Sequence, residues 1–66
     1  MDLGANIKKA RKAAGLTQAQ LAEKMKIQQR DISRWESNTR MPNVVSLGKL
    51  CEAVGVSADK ILEIKI

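Results

Sequence analysis

Apolar residues recur along this chain at the spacing of amphipathic helices, whereas the alternation typical of strands is almost absent. Leu3, Ile7, Ala10 and Ala14 lie at intervals of four, three and four residues. This spacing places their side chains on one stripe of a helix with about 3.6 residues per turn. No Asn-Gly or Asp-Gly pair separates two alternating runs, so no β-hairpin is indicated. The pattern predicts an all-α chain.

Helix-capping and helix-stopping residues divide this pattern into five short helices. Thr17, with Gln20 three residues later, has the form of a capping box, which starts a helix. Gly15 and Gly55 stand where left-handed caps would end the first and fourth helices. The predicted helices are about 3–14, a second from Thr17, about 28–37, a fourth from Asn43 to Gly55, and a fifth from Ser57.

The apolar faces of these helices supply one small aliphatic core around a single tryptophan. Its predicted members after the first helix are Leu21, Ala22, Met25, Ile32, Trp35, Leu47, Leu50, Cys51, Val54, Ile61 and Leu62. A chain of 66 residues makes one domain, and it buries only about 60% of the surface that its unfolded form exposes. We therefore expect residues 1–66 to form a single compact domain without a deep substrate cavity.

Composition and charge narrow the function. The chain has 12 Lys and Arg against 7 Asp and Glu, and its net charge of +5 favours a polyanionic partner. Nucleic acid is the first such partner and an acidic membrane the second. The chain has no His, the commonest general base and metal ligand at neutral pH, and a single Cys excludes a multi-cysteine zinc site. We expect no enzyme, no cofactor, no metal and no small-molecule substrate.

The basic residues are concentrated in the first half of the chain. Residues 1–36 carry eight bases and four acids, a net charge of +4, whereas residues 37–66 carry four bases and three acids, a net charge of +1. No apolar run is long enough to span a membrane, and Lys8 and Lys9 come too early for a signal peptide. These features predict a cytoplasmic protein whose first half faces its partner.

Residues 17–36 have the layout of a helix-turn-helix: a capped short helix, a turn of about three residues and a second helix. On a helical wheel, one face of the third helix carries only polar and basic side chains, from Gln29, Arg30, Ser33 and Arg34. Arg can bond the guanine edge and Gln the adenine edge in the major groove. The alternative is an ordinary solvated face; the preceding cap and the charge distribution favour DNA.

Three segments resemble the phage repressor/Cro-like helix-turn-helix family: TQAQLAEKM, ISRWE and PNVVSLGKLCEAVGVSADKIL. The resemblance covers about residues 2–62 and implies a compact, five-helix, lambda-repressor-like DNA-binding domain. It implies that the third helix contacts DNA bases and nearby phosphates through Gln28, Gln29, Arg30, Ser33 and Arg34. It also implies phosphate contacts at the starts of the second and fourth helices and in the loop between the third and fourth, from Thr17, Gln18, Arg40 and Asn43.

The resemblance carries two further expectations, both about how the third helix is held. Arg11 and Glu36 stand at positions that commonly form an ion pair between the first and third helices. Without such a pair, Glu36 would repel a neighbouring phosphate. Gln18 looks like a residue that also braces the recognition helix. The alternative for Arg11 and Glu36 is that they are two separate surface charges, which contribute little to stability. The alternative for Arg40 is a solvated loop residue.

The sequence departs from the family pattern at four positions. Lys26 replaces the usual Gly of the turn, at a cost of about 1 kcal/mol if its backbone is left-handed. Asn38 replaces a Gly after the third helix and tolerates that conformation. Gln28 stands where Ser or Thr usually caps the helix. Gly48 stands where Leu is common, which predicts a lighter core or a local dent.

Three features are interpreted as structural. The four bases within residues 8–12 form a solvated face, because the apolar side of their helix is rich in Ala, unlike that of a membrane-surface helix. Cys51 lies in an apolar stripe and is interpreted as an inert core thiol. Trp35 faces the core with Ile32, so it is not expected to stack on bases.

The leading hypothesis is a sequence-specific regulator of transcription, most simply a repressor, that binds double-stranded DNA with its third helix in the major groove. Family members commonly bind as dimers, so we predict a homodimer on a palindromic operator, formed through the fifth helix and the apolar tail 61–66. Ile64 and Ile66 have two alternative roles, as a short strand paired with a partner or as a frayed end. The second hypothesis is a protein-interaction module, such as an antitoxin-like or anti-repressor partner.

Overall fold

The computed structural model describes residues 2–62, which form five helices and no strand. The helices are α1 Leu3–Ala13, α2 Gln18–Met25, α3 Gln29–Glu36, α4 Val44–Val54 and α5 Ala58–Leu62. The predicted all-α fold and helix order are confirmed. α1 and α3 each end one residue earlier than predicted, and α3 also begins one residue later. Residues 63–66, which hold most of the predicted dimerisation tail, lie outside the described residues.

Side-chain caps start the first two helices. Asp2 Oδ1 accepts a hydrogen bond from the Ala5 N–H at 2.9 Å, a cap that the pattern did not predict. At α2 the predicted capping box is confirmed, with the Gln20 N–H donating to Thr17 Oγ1 at 3.1 Å and the Thr17 N–H donating to Gln20 Oε1 at 2.9 Å. These bonds satisfy N–H groups of the first turn, which have no partner inside a helix.

Left-handed backbone follows each of the first four helices, at Gly15, Lys26, Asn38 and Gly55. Lys26 has a φ of 59° and Asn38 a φ of 62°. A side chain with a Cβ crowds the following carbonyl in this conformation, which costs about 1–2 kcal/mol, although Asn adopts it more readily than most residues. Lys26 therefore bears the cost that the helix-turn-helix turn imposes on any residue other than Gly.

The core contains the predicted aliphatic cluster, except that Leu47 and Leu62 are only half-buried. Ile7, Leu21, Ile32 and Leu50, one from each of the first four helices, are completely buried. The surrounding buried side chains are Ala22, Met25, Trp35, Cys51, Val54 and Ile61. Burying one large aliphatic side chain contributes about 1.5–3 kcal/mol, so these contacts hold α1 to α4 around one centre.

Of the predictions made for two residues of α4, one is correct and the other is wrong. Cys51 is buried, and this burial, with the charge of Asp59 nearby, raises the pKa of its thiol, as expected of an inert core thiol. Gly48 is exposed, and a Cβ built on it would have no atom within 4 Å. The predicted lighter core is therefore wrong, because α4 packs through Leu50 and Val54 while position 48 faces away from the core.

An unpredicted backbone contact joins α1 to α3. Gly4 is buried, and a Cβ on it would lie 2.5 Å from the Glu36 carbonyl oxygen and 2.7 Å from that of Trp35. Only a residue without a Cβ lets the two backbones approach this closely. The first turn of α1 therefore rests on the last turn of α3 and helps to determine where α3 lies.

Candidate nucleic-acid interface

The predicted base-contact residues lie on the surface that α3 presents to solvent. All five are exposed: Gln28, Gln29, Arg30, Ser33 and Arg34. On the opposite side of the helix, Ile32 is 0% and Trp35 is 7% exposed, and both belong to the core. Asp31, the acid in the first turn, is half-buried. We call the surface formed by Gln29, Arg30, Ser33 and Arg34 the polar face of α3; it contains no acid.

The pattern predicted that α3 begins at Gln28. In the structure Gln28 is instead the N-cap, and the helix begins at Gln29. Its backbone is extended, with φ of −87° and ψ of 147°. Its N–H donates to Asp31 Oδ2 at 3.3 Å, so the side chain of the third helical residue reaches back to the cap. Gln28 therefore sits at the turn, directly before the polar face.

A buried ion pair ties α1 to the end of α3. Arg11 Nε lies 2.6 Å from Glu36 Oε2, and Arg11 Nη2 donates to Glu36 Oε1 at 3.1 Å. The two side chains are only 8% and 5% exposed. Gln18 Nε2 donates to the same Oε1 at 3.1 Å, and Arg11 Nη1 donates to the Leu16 carbonyl oxygen at 2.8 Å. The structure thus brings together the three residues to which the resemblance assigned bracing roles.

The Glu36 carboxylate is held in its ionised form by these partners. Burial alone would raise its pKa, but the hydrogen bonds from Arg11 and Gln18 and the charge of Arg11 outweigh burial and lower the pKa. A bidentate Arg–carboxylate pair also fixes orientation, which a single point charge does not. A phosphate approaching the end of α3 therefore meets a carboxylate whose charge is already compensated.

Asn38 forms a second connection between α1 and the end of α3, which sequence reasoning missed. Its Oδ1 accepts the Gly4 N–H at 2.9 Å, and its Nδ2 donates to Asp2 Oδ1 at 2.8 Å. The bond from Asn38 is the main reason that the pKa of Asp2 is lowered. Only tolerance of left-handed backbone was expected at Asn38, because nothing in the sequence indicates a partner 34 residues away.

The predicted phosphate contacts at the start of α2 involve side chains that already have partners. Thr17 Oγ1 caps the helix, and Gln18 is half-buried with its Nε2 on Glu36. Gln18 therefore lies where it can hold α3. Phosphate contacts from these two residues stay a prediction.

Backbone hydrogen bonds connect the loop that precedes α4 to the last turn of α3. The Arg34 carbonyl oxygen accepts the N–H of Thr39 at 2.9 Å and that of Arg40 at 3.2 Å. Arg40 is exposed, and Asn43 caps α4 by accepting the Ser46 N–H at 2.8 Å. The loop thus continues from the end of α3, and phosphate contacts from Arg40 and Asn43 stay a prediction.

The bases of α1 divide into two kinds. Lys8, Lys9 and Lys12 are exposed, as expected of a solvated face, but Arg11 is buried. Placing Arg11 in that face was wrong, because its guanidinium turns inward to Glu36 and the Leu16 carbonyl. Three of the four charges remain available to attract an anionic partner.

The part of the chain from residue 2 to residue 62 contains neither a candidate membrane-spanning helix nor a candidate metal site. None of its helices is both long enough and apolar enough to cross a membrane. No group of three or more His, Cys, Asp or Glu side chains in the same range is placed to hold a metal ion.

The fold and this arrangement define a helix-turn-helix domain. The helix-turn-helix family matches residues 7–61, and the chain belongs to this family. The fold is similar to that in the crystal structure of SinR, the master regulator for biofilm formation, in complex with DNA. That likeness has a TM-score of 0.85 and 31% sequence identity, and it covers 91% of this chain and 97% of the SinR chain.

Two relatives are similar in sequence to most of this chain. The HTH-type transcriptional regulator ImmR of Bacillus subtilis (strain 168) is 40% identical over 62 residues, which are 94% of this chain and 49% of ImmR. The HTH-type transcriptional activator BcrR of Enterococcus faecalis is 34% identical over 62 residues, 94% of this chain and 30% of BcrR. The chain thus spans about half the length of the first relative and a third of the second.

Proposed function

We propose that this chain binds double-stranded DNA sequence-specifically and regulates transcription. The polar face of α3 carries this proposal, because it is exposed and acid-free while the end of the helix is fixed by the buried Arg11–Glu36 pair. The likeness to a DNA-bound SinR domain and to two transcriptional regulators supports it.

The side chains of the polar face match the hydrogen-bonding edges of the major groove. This groove is about 12 Å wide and admits an α-helix. Arg30 and Arg34 can each bond O6 and N7 of a guanine, and Gln29 can bond N6 and N7 of an adenine. Ser33 can donate to either purine, and Gln28, at the turn, can contact a base or the nearest phosphate. A half-site containing both guanine and adenine follows from this chemistry.

Phosphate contacts would orient the domain on the duplex. Thr17 and Gln18 lie at the N-terminus of α2 and Asn43 at that of α4, where N–H donors and the helix dipole favour an anion, and Arg40 adds a positive charge in the loop before α4. Such contacts fix the position of the protein without carrying sequence information. They also release counterions, so the logarithm of the binding constant should fall with the logarithm of salt concentration by about 0.9 per phosphate.

Selection of bound duplexes from a random pool, followed by fluorescence-anisotropy titration at several salt concentrations, tests this proposal. We expect an enriched sequence, tighter binding to it than to random duplex, and a steep salt dependence. If the protein retains no duplex even at low salt, DNA binding is contradicted. Equal affinity for selected and random duplex would contradict sequence specificity.

A homodimer on a palindromic operator is the finer form of the proposal. Two recognition helices about one DNA turn apart would read two half-sites, and the dimer would use α5 and the tail 61–66. Palindromy among the selected duplexes, and sedimentation at tens of micromolar with and without them, test this assembly. Monomers under both conditions would contradict it.

The proposed role requires no chemistry beyond binding. A repressor acts by occupying promoter DNA, so the proposal includes no catalysis, cofactor or small-molecule substrate. Because its proposed partner is chromosomal DNA, we place the protein in the cytoplasm. A promoter–reporter assay with the selected site would show whether occupancy lowers transcription, as proposed, or raises it.

A protein-interaction module is the second candidate, and one observation favours it. Met41, Val44 and Val45 are 49%, 87% and 67% exposed, which gives the start of α4 an apolar surface. Apolar side chains grouped on a surface are typical of a protein contact. A salt-insensitive complex with another protein, together with no retention of duplex at low salt, would select this function over DNA binding.

A further inference from the structure

Lys26 lies at a position where any side chain with a Cβ strains the backbone. It ends α2 with left-handed backbone, at φ of 59° and ψ of 43°. Glycine adopts this conformation without strain, and a residue with a Cβ does not. Among residues 2–62, no hydrogen bond or ion pair engages its ammonium group. No contact within the described fold therefore compensates for this lysine.

Two more lysines lie beside Lys26. A shallow cavity between α2 and α4 is bordered by Lys24, Lys26 and Lys49, with Glu52 as its one acid. Lys24 Nζ donates to the Ala53 carbonyl oxygen at 2.9 Å, which satisfies one donor but leaves its charge uncompensated. Three cations against one anion give this surface a positive potential, which a polyanion would neutralise.

The position of Lys26 connects this surface to the polar face of α3. Gln29 is three positions after Lys26, so their Cα atoms lie at most about 11 Å apart. A helix seated in a major groove about 12 Å wide has phosphates along both edges of the groove. A lysine this near the start of the helix can reach one of these edges.

We propose that Lys26 binds a backbone phosphate of the duplex beside the groove that α3 enters, with Lys24 and Lys49 strengthening the local positive potential. This inference rests on the proposed DNA-binding function and adds a contact that lies outside the polar face. The chain thus keeps a strained lysine at the turn because the ammonium group contributes to DNA affinity.

Lys26→Gly separates the two effects of this side chain. We expect the variant to be more stable, with Tm raised by about 4 °C, because glycine relieves the left-handed strain. We expect DNA binding to weaken about eightfold at 0.1 M salt, and the salt slope to become shallower by about 0.9, as for one lost phosphate contact. The ratio of affinities for selected and random duplex should not change, because phosphate contacts carry no sequence information.

Two control variants make the test specific. Lys26→Arg keeps the charge and should retain the wild-type salt slope, whereas Lys9→Ala removes one exposed charge from α1 and should change the slope much less than Lys26→Gly. Wild-type affinity and slope in Lys26→Gly would overturn the inference. Equal losses in Lys26→Gly and Lys9→Ala, or an altered affinity ratio, would overturn it too. No duplex binding by the wild type would instead refute the proposed function and this inference with it.

Discussion

The two ends of α3 differ in what their side chains contact. Gln29 and Arg30 in the first turn are exposed to solvent, whereas the Glu36 side chain at the last turn is 5% exposed and bonded to side chains of α1 and α2. The buried Glu36 side chain helps to hold the helix in place, whereas the exposed side chains are available to a partner. Within one eight-residue helix, stability and recognition are therefore assigned to different residues.

The two helical glycines show the same difference between buried and exposed surface. Gly4 in α1 lies against the carbonyl groups of Trp35 and Glu36, whereas Gly48 in α4 faces open space. By helix propensity alone, glycine within a helix is about 0.5–1 kcal/mol less favourable than Ala. Only at Gly4 does the tertiary structure require it.

The largest expected effect is on the buried end of α3. Arg11→Ala removes one partner of the ion pair and leaves the Glu36 carboxylate buried without its counter-charge, so unfolding free energy should fall by about 3–5 kcal/mol. Urea denaturation followed by circular dichroism measures this loss. Lys12→Ala, an exposed neighbour on α1, should change stability by no more than about 0.5 kcal/mol. Equal effects of the two substitutions would mean that the pair does not hold the fold.

The paired glycines should respond in opposite directions. Gly4→Ala forces a Cβ against two backbone carbonyls and should destabilise the domain by about 1–3 kcal/mol. Gly48→Ala meets no atom and should stabilise it by about 0.5–1 kcal/mol. Thermal unfolding of both variants gives the comparison. A destabilising Gly48→Ala would mean that position 48 is not open in solution.

On the polar face of α3, a substitution should change DNA binding without changing stability. Arg34→Ala should cost about 1–3 kcal/mol of DNA-binding free energy and relax the preference for one base position. Its unfolding free energy should stay within about 0.5 kcal/mol, because the Arg34 side chain is exposed and its carbonyl remains in place. Titration with selected and random duplexes measures both affinities. An unchanged ratio between them would mean that Arg34 does not contribute to base preference.

The smallest expected effect is the dependence of stability on pH. The pKa values of Glu36 and Asp2 are lowered in the folded chain, so both groups stabilise it above their unfolded pKa values of about 4, and this contribution is lost as pH falls through the folded values. Urea midpoints should be level from about pH 7 to 5 and then decline. Asn38→Gly keeps the left-handed backbone but removes the bond to Asp2, so its acid decline should be shallower. An identical decline would exclude Asp2 as a contributor.

The features that the sequence alone determined depend on neighbouring residues. The five helices, the capping box of Thr17 and Gln20, and the division of α3 into a polar and an apolar face follow from spacings of three or four residues. Such spacings are visible in the sequence because a helix repeats every 3.6 residues. The pairing of Arg11 with Glu36 is different: it was expected only from the family resemblance.

The remaining features were decided by the tertiary structure, because they depend on residues far apart in the chain. Asn38 bonds Gly4 across 34 residues, and the Gly4 backbone lies against that of α3 only because α1 and α3 cross there. The outward direction of Gly48 depends on which stripe of α4 the other helices cover. The helical period identifies which residues share a face, and only packing selects the face that is buried.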